Sequence, residues 1–319
     1  MNVVDRLIEY TIQKKNPTVV GLDPDLTKIP SCYLQKAHAH EDPRATAAEI
    51  ITTFNRDIID TVAPYVPAVK PQMAFYEMYG HYGVKAFEET VAYAKSKGLV
   101  VIEDAKRNDI GNTANAYACG HLGTVPLSNG SRAPSMDADF LTVTPYLGSE
   151  SLTPFIQACK DHGKGIFILV KTSNSTSGEI QSAITAQGTT VTQSMAHYVA
   201  DQEKSTRGAY GYSSVGAVVG ATYPKEAEAL RALMPRSYFL VPGYGAQGGG
   251  PQDVLPCFNP DGLGAIVNSS RGILYSHTTG AEREACPREI YLARVKAETQ
   301  TMQQALYEAL KTRYPDMLY

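Results

Sequence analysis

A chain of 319 residues, 43% hydrophobic and 19% charged, is long enough for a large buried core and has the balance of an ordinary globular protein. Its formal net charge of −3 and sequence pI near 6.2 give no general pull towards nucleic acid or anionic lipid, so an anionic ligand must be held by a local site. No apolar run reaches the length of a membrane span, and the scattered, odd-numbered cysteines (Cys32, Cys119, Cys159, Cys257, Cys286) contain no CxxC, which argues against a disulfide framework or zinc site and for a reducing cytoplasm.

The N-terminal stretch "MNVVDRLIEYTIQKKN" sets Asp5 and Glu9 among its apolar positions and lacks a signal-peptide core. It reads as an amphipathic helix with Val4, Leu7, Ile8 and Thr11 on one face. Strands follow at 18–23 ("TVVGLD"), 67–75 ("PAVKPQMAF"), 99–106 ("LVVIEDAK"), 139–146 ("DFLTVTPY"), 165–172 ("GIFILVKT"), 216–222 ("GAVVGAT"), 238–245 ("YFLVPGYG") and 264–270 ("GAIVNSS"). Each is nearly continuous in apolar residues before it turns polar at its C-terminal end, the pattern of parallel strands covered on both faces. Between them lie helical spacings such as "HYGVKAFEETVAYAKSKG" and "YPKEAEALRALMP". Eight alternations predict an α/β fold, a (β/α)8 TIM barrel, over a doubly wound open sheet of five or six strands. No internal repeat or domain boundary is visible, so residues 1–319 are expected to form one domain. Its strands lie within about 18–275, its insertions at about 27–50 and 114–138, and an extra C-terminal helix at about 288–313.

A barrel focuses its C-terminal strand ends on one rim, where its chemistry sits. Those ends read Asp23, Lys70, Asp104 with Lys106, Thr144, Thr172 with Ser173, Thr222, Gln247 and Arg271. In "VVIEDAKRNDIGNT" (100–113), Asp104 and Lys106 are two apart and share a side on an extended strand, whereas Asp109 lies in the loop beyond. Alternating Lys70, Asp104, Lys106 and Asp109 would hold each lysine protonated, a poor Schiff-base nucleophile and a good proton donor. "PGYGAQGGGPQD" offers backbone N–H groups and a mobile flap, and "NSSRGIL" puts Arg271 and Gly272 at a helix start, where barrels of this kind bind phosphate. The histidines His38, His40, His81, His121, His162, His197 and His277 show no ligand spacing beyond "HAH", and a lysine beside each carboxylate competes with a cation, so no metal is expected.

These residues resemble orotidine 5′-phosphate decarboxylases. "EDAKRNDIGNT" is similar to that family's Asp-x-Lys-x-x-Asp-Ile-x-x-Thr signature. "GLDPD", "AVKPQMAFYE", "PGYGAQGG" and "NSSRGI" match its other barrel-end motifs in order, over about 18–275. "TPYLG" and "VKTSN" suit the longer branch of the family, which carries large insertions. The resemblance implies conversion of orotidine 5′-phosphate to uridine 5′-phosphate (UMP) and CO₂, the last step of de novo pyrimidine synthesis, with no cofactor. It also implies that Lys70, Asp104, Lys106 and Asp109 form a charged tetrad with Lys106 as proton donor. Asp23 and Lys70 would hold ribose hydroxyls. Thr172 or Ser173, together with Gln247, would face the pyrimidine, and Gln247, Arg271 and Gly272 the phosphate. Asp109, Ile110 and Thr113 would reach a neighbour's site in a cytoplasmic homodimer with shared active sites, with neither nucleic acid nor membrane as partner. The weighed rivals are a Mg²⁺-dependent keto-gulonate phosphate decarboxylase, a Schiff-base aldolase and a catalytically dead nucleotide sensor. The Lys70 position speaks against the first, and the intact charged set against the last.

Overall fold

The computed structural model describes residues 2–245, 248–275 and 286–319. Eight parallel strands close into a barrel: β1 (Thr18–Leu22), β2 (Ala68–Pro71), β3 (Val100–Arg107), β4 (Phe140–Val143), β5 (Gly165–Lys171), β6 (Ser213–Val219), β7 (Ser237–Val241) and β8 (Ala265–Ser269). Neighbours run in chain order around the ring, and β8 pairs with β1 to close it. Most of each strand is buried, because inward side chains fill the barrel and outward ones meet the helices. Phe140 of β4 and Phe167 of β5, for example, stack with ring centroids 4.8 Å apart.

Most strands stop earlier than their apolar runs. β2 ends at Pro71 and the chain turns into a short helix, Ala74–Glu77, within the run expected to continue to 75. β4 ends at Val143 and β7 at Val241, each several residues before its expected limit. Residues 114–121, expected as part of an insertion, belong to the helix Gly111–His121 that leaves β3. Beyond it a small antiparallel pair, Val125–Pro126 with Arg132–Ala133, occupies the rest of that segment.

One end of the barrel is covered by the N-terminal helix, and the C-terminal helix packs on the helical layer. The N-terminal helix Val3–Lys14 buries Val4, Leu7, Ile8 and Thr11, the expected face. It sits at the strands' N-terminal end, where Arg6 pairs with Asp139 just before β4 and Asp5 accepts the N–H groups of Ala209 and Tyr210 ahead of β6. The C-terminal helix Arg288–Arg313 buries Tyr291, Val295, Thr299, Met302, Leu306 and Leu310, a stripe at spacings of three and four, and packs chiefly against the helix Pro43–Val62. Its first residue, Arg288, grips Asp57 through two nitrogens. The C-terminal mouth, where the polar strand ends lie, is the face on which a barrel of this kind carries its site.

Candidate active site

Lys70 leaves the end of β2 and Asp104 lies on β3, both nearly buried at 5% and 8% exposed. Lys70 Nζ donates to Asp104 Oδ2 at 2.7 Å, and Lys106 Nζ donates to Oδ1 at 2.6 Å. Burial by itself would raise the Asp104 pKa, but the two ammonium groups outweigh it and hold the carboxyl well below the usual carboxylate range. Burial would likewise strip Lys70 of its proton, and the carboxylates of Asp104 and Asp23 outweigh that, so its pKa is raised. The two lysines differ in access. The Lys106 side chain is 47% exposed towards the mouth while that of Lys70 is 6% exposed.

Asp104 and Lys106 meet by a route that strand period does not describe. Glu103 pairs with Leu141 and the next register pair is Arg107 with Val143, so β3 takes four steps (103 to 107) where β4 takes two (141 to 143). The surplus residues form a bulge in which Lys106 adopts a left-handed backbone, φ 51°. Two polar residues not anticipated from the sequence complete the setting. Gln72 Nε2 donates to Asp104 Oδ2 at 3.0 Å, and Thr142 Oγ1 donates to Oδ1 at 2.9 Å. Thr144, the expected rim residue of β4, lies beyond the strand. The useful signal was the lone hydroxyl inside the apolar run "DFLTV".

Asp23 follows β1, and among the described residues its Oδ1 is buried without a hydrogen-bond partner. The Tyr275 hydroxyl donates to the Asp23 carbonyl at 2.8 Å and accepts the Asp25 N–H at 2.9 Å, tying this loop to the segment after β8. After β5, the Thr172 hydroxyl is used twice, donating to Asn174 Oδ1 at 2.6 Å and accepting from Gln181 Nε2 at 2.7 Å. Ser173 lies against the end of β6, where a Cβ on Gly220 would come within 2.9 Å of its Cα, so only glycine allows that approach.

The loops expected to hold phosphate differ from expectation in one respect. Gln247 lies outside the described residues. The N–H groups of Gly245, Gly248 and Gly249 donate to carbonyls of the same loop, at 2.8, 2.8 and 3.2 Å, so the glycine loop spends these donors on its own turn. Arg271 and Gly272 open the short helix Arg271–Leu274, whose first N–H groups lack intrahelical acceptors, and Arg271 is exposed. Asp109 stands apart from the lysines. Its carboxylate accepts the N–H of Ile110 at 2.8 Å, and among the described residues it pairs with neither Lys70 nor Lys106. Ile110 is 52% exposed and Thr113 faces solvent on the next helix.

A family model described as orotidine 5′-phosphate decarboxylase / HUMPS family matches residues 19–286. The orotidine 5′-phosphate decarboxylase of Rhodopirellula baltica is 44% identical over 306 residues, 96% of this chain and 99% of that one. That of Caldicellulosiruptor saccharolyticus is 38% identical over 278 residues, 87% of this chain and 90% of the relative. The solved structure of Leishmania donovani OMP decarboxylase superposes with a TM-score of 0.66 at 29% identity, covering 96% of this chain and all of that one.

Proposed function

Since the chain belongs to the orotidine 5′-phosphate decarboxylase / HUMPS family and is a carboxy-lyase of pyrimidine biosynthesis, we propose that it decarboxylates orotidine 5′-phosphate without metal or organic cofactor, with Lys106 as the proton donor. The observation that carries this reading is a single buried carboxylate, Asp104, holding ammonium groups from β2 and β3 at the mouth of the barrel. The C6–carboxylate bond breaks, CO₂ leaves, and its electron pair stays on C6 as an sp² carbanion with no π system in line to delocalise it. Lys106 Nζ stabilises that charge through space, then gives it a proton, and is recharged from solvent. Both oxygens of Asp104 already accept from Lys70, Gln72, Lys106 and Thr142, which leaves little coordinating capacity for a cation.

Around this centre Asp23 and Lys70 hold the ribose hydroxyls. Ser173 suits the pyrimidine better than Thr172, whose hydroxyl is committed to Asn174 and Gln181. Gln247, Arg271 and Gly272 take the phosphate, and that remote grip orders the site. Asp109, Ile110 and Thr113 serve a neighbouring subunit, a reading supported by Asp109 lying off its own chain's lysines. The loop after β4 adds exposed apolar surface beside them, with Tyr146 at 84% and Leu147 at 48%. Free cysteines suit action in the cytoplasm.

The test is the loss of pyrimidine absorbance on adding orotidine 5′-phosphate, repeated after EDTA. Equal rates before and after chelation are expected. No turnover would overturn the reading, and turnover lost to EDTA and restored by Mg²⁺ would transfer the chain to the metal-dependent decarboxylases of the same barrel type.

A further inference from the structure

We propose that Thr142 is a positioning residue that holds the Lys106 ammonium on target by standing in for the strand ladder that β3 loses at its bulge. In the bulge the Lys106 N–H has no regular strand partner, and it donates instead to Thr142 Oγ1 at 3.0 Å. The same hydroxyl donates to Asp104 Oδ1 at 2.9 Å, and that oxygen accepts from Lys106 Nζ at 2.6 Å. The three residues therefore form a closed ring: Lys106 backbone to Thr142, Thr142 to Asp104, Asp104 back to the Lys106 side chain. Thr142 is 1% exposed and its hydroxyl uses one donor and one acceptor role, as a buried hydroxyl should.

The backbone explains why such a ring is needed. Besides Lys106, the described non-glycine residues with positive φ are Lys15 and Asp137. Lys15 caps a helix C-terminus, where that conformation is common, and Asp137 sits in a loop. Lys106 alone adopts it inside a strand, and a strained residue persists only where its surroundings over-determine it. Without the hydroxyl, the N–H loses its acceptor and Asp104 loses a donor, so the bulge can relax and Nζ can leave its place. None of the three residues is among those read as holding the phosphate, and Thr142 bonds Oδ1 of Asp104 while Lys70 bonds Oδ2, so UMP affinity should fall far less than turnover. Thr142 thus acts on turnover through Lys106.

This inference rests on Lys106 being the proton donor. Wild type, Lys106→Ala, Thr142→Val and Thr142→Ser are compared for kcat and KM with orotidine 5′-phosphate and for the Kd of UMP. A dead wild type, or an active Lys106→Ala, counts against the mechanism itself. With those controls as expected, Thr142→Val should lose roughly ten- to a hundredfold in kcat, the scale of a hydrogen bond to a charged group, with UMP affinity within about threefold. Thr142→Ser, which keeps the hydroxyl, should retain at least about a third of wild-type kcat. A Thr142→Val kcat within about threefold of wild type overturns the proposal, as does UMP binding that falls in step with kcat. Should the valine variant not fold, Thr142→Ala is read by the same criteria. A serine variant below about a tenth of wild-type kcat overturns the proposal by itself.

Discussion

Replacing Asp104 by asparagine removes the charge that lets Lys70 stay protonated at 5% exposure, leaving Asp23 as its remaining counter-charge. Removing one partner of a buried ion pair costs about 3–5 kcal/mol. A second limit comes from Lys70 itself, which can escape the penalty by releasing its proton, at about 1.36 kcal/mol for each pH unit below its ordinary pKa of about 10.4. At pH 7 that limit is about 4.6 kcal/mol, and because Asp23 remains we take about 3 kcal/mol as the cost. An unfolding entropy of about 2.1 cal/mol/K per residue, over 319 residues, converts this to a fall in Tm of about 5 °C. The pH dependence has a definite sign. In wild type the Lys70 pKa is raised, so its stabilisation is fully present below about pH 10 and lost only above it. In the variant the buried ammonium is a penalty below that pH, and the penalty fades as pH rises. At pH 9.5 the proton-release limit is about 1.2 kcal/mol, so the gap should shrink to about 2 °C or less. Thermal melts of both proteins at pH 7 and pH 9.5 measure it directly. A gap equal at the two pH values, or absent at pH 7, would refute the account of Lys70 as a buried charge held by Asp104.

Lys106→Ala should abolish turnover while leaving UMP affinity within about threefold and Tm nearly unchanged, because an ion pair with one half-exposed partner stabilises little; a tenth of wild-type turnover in this variant would dismiss Lys106 as proton donor. Arg271→Ala should weaken UMP strongly and uridine hardly at all, as titration calorimetry would read, whereas equal losses would make Arg271 a prop for the barrel. Lys106→Ala and Asp109→Asn, each nearly inactive alone, should recover about a quarter of wild-type activity when their subunits exchange, since half the dimers are mixed and each mixed dimer has one intact site. No recovery, with exchange verified by tagged subunits, would sink the shared-site homodimer.

Apolar runs that turn polar at their C-terminal ends, alternating with helical spacing, were sufficient to define an eight-stranded barrel and to put Lys70, Asp104 and Lys106 on one rim. That information is local and periodic: burial on both faces dictates the runs, and parallel strands deliver their polar ends to one side. The motif around Asp104 and Lys106 was likewise readable because its residues are neighbours in the chain. Three features depended on tertiary contacts. The bulge in β3 exists because β4 pairs with it before and after Asp104 but not across it, and no count along "EDAKRND" reports a register with another strand. Thr142 and Gln72 reach Asp104 only because three strands converge, so their hydroxyl and amide look unremarkable in isolation. Among the described residues of the glycine loop after β7, Gly245, Gly248 and Gly249 give their N–H groups to the loop's own carbonyls, which no glycine count in the sequence reports. Composition marks a chain segment as able to offer N–H groups. Which of them remain free is decided by where the folded backbone sends its own carbonyls, because every buried donor must find an acceptor.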